Sequence, residues 1–204
     1  MSKLKLLIRS VAAVVAIATF VGCDSSTPDT PFYGTEISPA RAAPGFSGPN
    51  WDGTSFTLAG QRGKVVLLAF GYTFCPDVCP FTLRRLAKVH EQLGDRAAQI
   101  AVVFVSVDPE RDTIDKLKTY IPSFHRDFFG LRPEGEDMAA LLKDYHIKVT
   151  KQPPATGGGY YAVDHTGDVF LIDKTGQLRL THPHNTTVDA LLTDVQSLLE
   201  EETQ

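Results

Sequence analysis

Cys75 and Cys79 stand in the segment Cys75-Pro76-Asp77-Val78-Cys79-Pro80, three residues apart. If a helix begins at Pro76, the pair falls at i and i+4, and both sulfurs lie on one face where they can meet one ligand. Proline suits the first helical position, because its missing N–H would find no intrahelical partner there. Cys75 is then left at the positive end of the helix dipole. Negative charge is favoured at that end, which points to a thiolate, the form that attacks disulfides and binds metal ions. The spacing is compatible with either chemistry. A purely structural disulfide is disfavoured, since closing so short a loop removes little chain entropy. A closed zinc site would need two histidines besides the two sulfurs, whereas Cu(I) favours soft sulfur and needs fewer ligands.

Other residues with chemical potential are scattered. His165 is one of six histidines, and on its own it reads as a solvated loop imidazole. Asp164 beside it reads either as a partner that orients the ring or as an exposed turn carboxylate. Asp77 reads as a charge at a helix N-terminus rather than a ligand. The run Asp108-Pro109-Glu110-Arg111-Asp112 follows an apolar strand at the carboxyl edge where sites in such sheets lie, yet it reads as a capped, salt-bridged turn with no direct chemistry. His182 and His184 read as surface residues, because two imidazoles without a third ligand make a weak site.

The elements that must position these groups follow from apolar periodicity. Lys64–Phe70 and Ile100–Val107 are continuous apolar runs, as expected for strands covered on both faces. Between them Cys79, Leu83, Leu86 and Leu93 recur at helical spacing up to Gly94, a suitable C-terminal stop. Thr113–Ile121 reads as a helix halted by Pro122, and Met138, Leu141, Leu142 and Tyr145 mark another. Tyr160–Ile172 and Gln177–Thr181 read as two strands of a hairpin across Asp173-Lys174-Thr175-Gly176. Val188, Leu191, Leu192, Val195 and Leu198 line a final helix behind a Thr186 or Thr187 cap. The βαβα order followed by a hairpin and a closing helix gives an α/β, thioredoxin-like fold. It predicts a central mixed sheet flanked by helices, an insertion around residues 109–150, and the cysteines at the first strand-to-helix junction.

The chain has 204 residues, of which 43% are apolar, enough for one domain with a sizeable core. A formal net charge of -4 gives no basic field for nucleic acid. Lys3, Lys5 and Arg9 precede an apolar run, Val11–Val21, that is long enough for a signal peptide and short for a membrane span. The run ends in Phe20-Val21-Gly22-Cys23, which resembles the lipobox of bacterial lipoproteins, where the cysteine is lipidated. Asp24 resembles the signal that retains such proteins in the inner membrane. Residues 1–22 are therefore expected to be a signal peptide and residues 23–49, rich in Ser, Thr, Pro, Ala and Gly, a flexible tether, with the folded domain over 50–204. Lipidation of Cys23 would leave Cys75 and Cys79 as the two remaining thiols of an exported chain.

Three segments carry a family resemblance. Gly71–Pro80 (G-Y-T-F-C-P-D-V-C-P), Ser106–Thr113 (S-V-D-P-E-R-D-T), and Val163–Thr166 with Phe170–Asp173 (V-D-H-T and F-L-I-D) resemble the SCO/SenC family, from about Pro49 to Leu199. The resemblance implies a copper metallochaperone in which Cys75, Cys79 and His165 bind Cu(I) or Cu(II). It implies service in assembling the dinuclear copper centre of cytochrome c oxidase, with subunit II as partner. A copper donor chaperone and a periplasmic thiol reductant are the further partners to be expected. It places the domain on the outer side of the inner (cytoplasmic) membrane, held through Cys23. A thiol-disulfide oxidoreductase that uses Cys75 and Cys79 to reduce the cysteines of the apo copper site is the alternative, and a thiol peroxidase a more distant one.

Overall fold

The computed structural model of the chain describes residues 32–153 and 161–201. The expected signal peptide over residues 1–22, Cys23 and Asp24 lie outside the described residues. In chain order the elements are β1 (Thr35–Ala42), β2 (Ser47–Pro49), β3 (Ser55–Thr57), β4 (Val65–Gly71), α1 (Val78–Leu93), β5 (Ile100–Ser106), α2 (Ile114–Tyr120), β6 (Phe129–Leu131), α3 (Gly135–Asp144), β7 (Val149–Gln152), β8 (Ala162–His165), β9 (Val169–Ile172), β10 (Gln177–His182) and α4 (Val188–Glu200). No described helix is long and apolar enough to cross a membrane.

Six strands form one sheet in the order β1-β10-β9-β4-β5-β6. β4, β5 and β6 run parallel, while β9 lies antiparallel to β4 and to β10, giving the expected mixed sheet. All seven residues of β4 and all seven of β5 are buried, which is what a continuous apolar run requires when both faces of the sheet are covered. Successive side chains point to opposite faces. Phe70 joins a ring cluster with Tyr145 (5.7 Å) and Phe170 (6.0 Å), while Gly71 turns toward α1 and the Cys79 sulfur.

Helix α1 packs on α4, and Leu83, Leu86, Val195 and Leu198 are fully buried in the shared core. Burial of each such side chain contributes about 2 kcal/mol of transfer free energy. Gly94 ends α1 with φ 55°, a conformation glycine adopts at little steric cost. Thr187 caps α4 by accepting a hydrogen bond from the Ala190 N–H (3.3 Å), and Thr113 caps α2 through the Lys116 N–H (3.2 Å). The expected insertion supplies α2, β6 and α3.

Three expectations are corrected. The tether expected over residues 23–49 does not extend to Pro49, since β1 pairs with β10 and β2 with β3, so the folded domain starts before residue 50. Polar composition hid these strands: seven of the eight β1 residues are exposed, so no apolar alternation marks them. The strand expected over Tyr160–Ile172 is two strands. β8 leaves the main sheet and pairs with β7 in a separate ribbon that sets Val149 opposite His165, and the polar segment Thr166–Asp168 breaks the run before β9. The Thr166 N–H donates to the Lys148 carbonyl and its hydroxyl accepts the Lys148 N–H (3.1 Å each), so the chain follows the ribbon there. His182, finally, is not a surface residue. It is fully buried with its Nε2 3.0 Å from the Asp194 carboxylate, which also accepts the Tyr33 and Gly34 N–H groups (3.0 and 2.8 Å) and ties the start of β1 to α4.

Candidate metal centre

The cysteine loop runs from the carboxyl end of β4 into α1. The helix starts at Val78, not Pro76, with Asp77 at the N-cap and no capping bond from its side chain. Cys75 therefore lies before the helix, in a turn closed by its own N–H on the Tyr72 carbonyl (3.2 Å). The sulfurs meet for a different reason from helical spacing. The Cys79 N–H, which a helix from Pro76 would direct to the Cys75 carbonyl, points to the Cys75 sulfur instead (3.4 Å). An unpartnered amide of the helix first turn is thus satisfied by a thiolate. At the end of β4 only glycine leaves the space required: a Cβ on Gly71 would stand 2.8 Å from Cys79 Sγ and 2.6 Å from the Phe104 ring.

The two thiols are unequal. Cys75 is partly exposed, whereas Cys79 is 3% exposed, and no disulfide joins them. The Cys79 thiol donates to the Cys75 sulfur, with the N–H groups of Cys79 and Asp77 adding to it, so the Cys75 pKa lies far below the ordinary thiol value although burial opposes this. The same bond, together with burial and the Cys75 charge, pushes Cys79 far up. The pair holds its proton on the inner sulfur.

His165 arrives from the β7–β8 ribbon. Its Nε2 lies 3.5 Å from Cys79 Sγ, and its Nδ1 lies 2.8 Å from the Thr166 carbonyl. A carbonyl only accepts, so Nδ1 carries the hydrogen and Nε2 of the neutral ring keeps its lone pair toward the sulfurs. The backbone thus orients the imidazole, a role the sequence offered to Asp164, which instead accepts from Gln152 Nε2 (2.7 Å). The ring meets Tyr72 edge-on (6.0 Å), and the Tyr72 hydroxyl accepts the Val163 N–H (3.3 Å). The space enclosed by Cys79, Thr82, Phe104 and His165 is about 10 Å³, room for one water-sized group and none for an organic substrate.

The segment read as a bland turn does more than cap itself. Asp108 and Asp112 are both fully buried. Asp112 accepts from Thr73 N–H (3.0 Å) and hydroxyl (2.6 Å) and from the Ser106 hydroxyl (2.6 Å), fixing the cysteine loop to the end of β5. Burial raises its pKa against the pull of these bonds. Asp108 pairs with Arg111 Nε and accepts the Tyr161 hydroxyl (2.7 Å). Arg111 donates to the Tyr161 carbonyl (2.8 Å) and lies over the rings of Tyr161, Phe74 and Tyr72 (3.5, 5.0 and 5.6 Å). Residues 108–112 therefore clamp both halves of the site. The carboxyl-edge rule placed this loop correctly, but nothing in the sequence tells which aspartate is buried.

Two sulfurs and one imidazole, carried by the first and third of the sequence segments, lie together at this junction. The SCO1/SenC family model matches residues 34–200, most of the chain and all of these segments. The chain belongs to the SCO1/SenC family. Among family relatives, an SCO2-like protein of Rickettsia prowazekii is 32% identical over 62% of this chain, and the match spans 62% of that protein's length. The solution structure of apo Sco1 from Thermus thermophilus superimposes with a TM-score of 0.72 at 35% identity, covering 83% of this chain and 98% of that one. The structure of Bradyrhizobium japonicum ScoI with copper bound gives 0.71 at 32% identity, covering 78% and 100%.

Proposed function

We propose that this chain is a copper carrier that holds the ion on Cys75, Cys79 and His165 and passes it to subunit II of cytochrome c oxidase for assembly of the dinuclear copper centre. The observation that carries the reading is the Nε2 of His165 placed 3.5 Å from Cys79 Sγ with its other nitrogen tied to a backbone carbonyl, an imidazole set as a ligand beside two soft sulfurs. A relative solved with copper bound supports the choice of ion. Cys75, half-exposed and charged, meets an incoming copper ion first. Uptake then displaces the proton held by Cys79, so binding weakens with acid as protons compete. Lipidation of Cys23 would hold the domain on the outer face of the inner membrane, where a copper donor and a thiol reductant have access. A Cys23→Ala protein recovered in the soluble exported fraction, with the native protein in membranes, tests that placement.

Replacing His165 by Ala tests the ligand set. Copper affinity, measured against a Cu(I) chelator, should fall at least about tenfold while the thiols still exchange disulfides. Unchanged affinity would remove His165 from the site.

The inequality of the thiols favours a second reading, a thiol-disulfide reductase. The Cys75 thiolate attacks a partner disulfide, forming a mixed disulfide and releasing one partner thiolate. Cys79, on losing its proton, attacks Cys75 and releases the second. The chain ends as a disulfide and the partner as a dithiol, with two electrons transferred. Alkylation of Cys75 by iodoacetamide should then keep its rate from pH 8 to about pH 6, where an ordinary thiol slows about tenfold per unit. A rate falling in parallel with that of a free thiol would remove the thiolate from both readings.

A further inference from the structure

The far end of α1 carries a second cluster of ligand side chains. His90 lies in its last turn, eleven residues beyond Cys79, about 16 Å along the axis at 1.5 Å per residue. Facing it are His125 and Asp127, from the loop between α2 and β6. One ligand atom from each of the three side chains lies within 4.8 Å of the other two. The two imidazole centroids lie 4.0 Å apart with the ring planes tilted by 45°, an approach that repels if both are protonated and is favourable if a cation replaces the protons.

The loop is held in place independently of any ligand. Phe128 is 2% exposed, its carbonyl accepts the Trp51 indole N–H (2.7 Å), and both imidazoles rest against its ring (5.9 and 5.2 Å). The Asp127 N–H donates to His125 Nδ1 (3.3 Å), which marks that nitrogen as the one bearing the lone pair in the neutral ring. The Asp127 carboxylate lies 3.9 Å from the same nitrogen. Burial, and then the neighbouring His125, push the His90 pKa below the ordinary imidazole value. His90 and Asp127 line a cavity of about 570 Å³. There Lys64 and Arg126 are offset by Asp52 and Asp95, leaving Asp127 as the unbalanced charge.

We infer that His90, His125 and Asp127 form a second metal site, separate from the thiol pair, that takes a borderline divalent cation such as Zn²⁺ or Cu²⁺. Two imidazoles and a carboxylate are the donor set such ions prefer, and the set lacks the soft sulfur that selects Cu(I). Ligand atoms in a tetrahedral zinc site lie about 3.3 Å apart, given bonds near 2.0 Å. The partly exposed side chains close that gap by rotation, with solvent in the remaining position.

The test uses the full chain carrying Cys75→Ser and Cys79→Ser, which removes the thiol site. Zn²⁺ titrated into it by calorimetry should bind with one-to-one stoichiometry. His90→Ala, and separately the surface change Asp127→Asn, should each weaken binding at least about tenfold, with unfolding midpoints showing that both proteins remain folded. Cu²⁺ in the same protein should show nitrogen hyperfine coupling from two imidazoles, reduced to one in His90→Ala. Affinity unchanged by both substitutions, or no Zn²⁺ uptake up to about 1 mM, overturns the site. Because Cys75 and Cys79 are replaced, the outcome is independent of whether Cys75, Cys79 and His165 carry copper.

Discussion

The two halves of the thiol site are supported in opposite ways. The cysteine loop grows directly out of β4, the central strand of the sheet, and is bonded to the end of β5 through Asp112. The imidazole rides on a two-stranded ribbon outside that sheet, and two short strands alone are marginally stable in water. Its place depends on side-chain ties: Tyr72 to Val163, Arg111 and Asp108 to Tyr161. Two rigid sulfurs and one separately held imidazole make a site whose soft ligands persist while the third can yield. That suits the proposed copper carrier, which must release its ion as well as bind it.

Breaking the rigid half should have the largest effect. Asp112→Ala leaves the buried Ser106 hydroxyl and the Thr73 N–H and hydroxyl without their acceptor. Each unsatisfied buried donor costs about 1–3 kcal/mol, so a loss of about 3–4 kcal/mol in urea unfolding is expected. A loss under about 1 kcal/mol would mean that water replaces the carboxylate and that the loop is not held as described.

Gly71→Ala addresses the same half more narrowly. The added methyl would meet the Phe104 ring and Cys79 Sγ inside hard contact, and overpacking of this kind costs about 1–3 kcal/mol. The effect should concentrate on the inner sulfur: Cys79, resistant to alkylation in the native protein because it is 3% exposed, should become reactive as it is pushed aside. Continued protection of Cys79 together with native stability would show that the neighbours absorb the methyl, and that Gly71 is not required by the site.

The same division decides what could be read from the sequence. The rigid half was legible because the continuous apolar runs Lys64–Phe70 and Ile100–Val107 fall within one residue of the covered strands Val65–Gly71 and Ile100–Ser106, and helical spacing identifies α1. The start of α1 was misplaced by two residues because Pro76 fits a first helical position. The choice was made by a sulfur accepting an amide, which no propensity records. The ribbon half was not legible. β7 has no buried residue, β8 has one, and the pairing of Val149 with His165 is settled by tertiary contacts. His165 was reached through the resemblance of Val163–Thr166, not through any pattern of its own. The clamp was visible only as charges, because burial of Asp108 and Asp112 follows from how three elements meet.

The smallest expected effect separates the halves most cleanly. Tyr161→Phe removes the hydroxyl that donates to Asp108 (2.7 Å) and keeps the ring beneath Arg111. Asp108 retains Arg111, so the loss is that of one partly exposed hydrogen bond, about 1 kcal/mol or less. If the ribbon opens on its own, that loss appears as local opening rather than global unfolding, because segments with few buried contacts open below the global free energy. Amide exchange at Lys151 and Val163 should then quicken by up to about fivefold while Val66 and Val103 in β4 and β5 keep native rates. Copper affinity should fall by a similar factor with the Cys75 alkylation rate unchanged, since the sulfur half is untouched. Equal acceleration at Val66 and Val163 would show that ribbon and sheet open together, and the contrast between a fixed and a yielding half would then have to be given up.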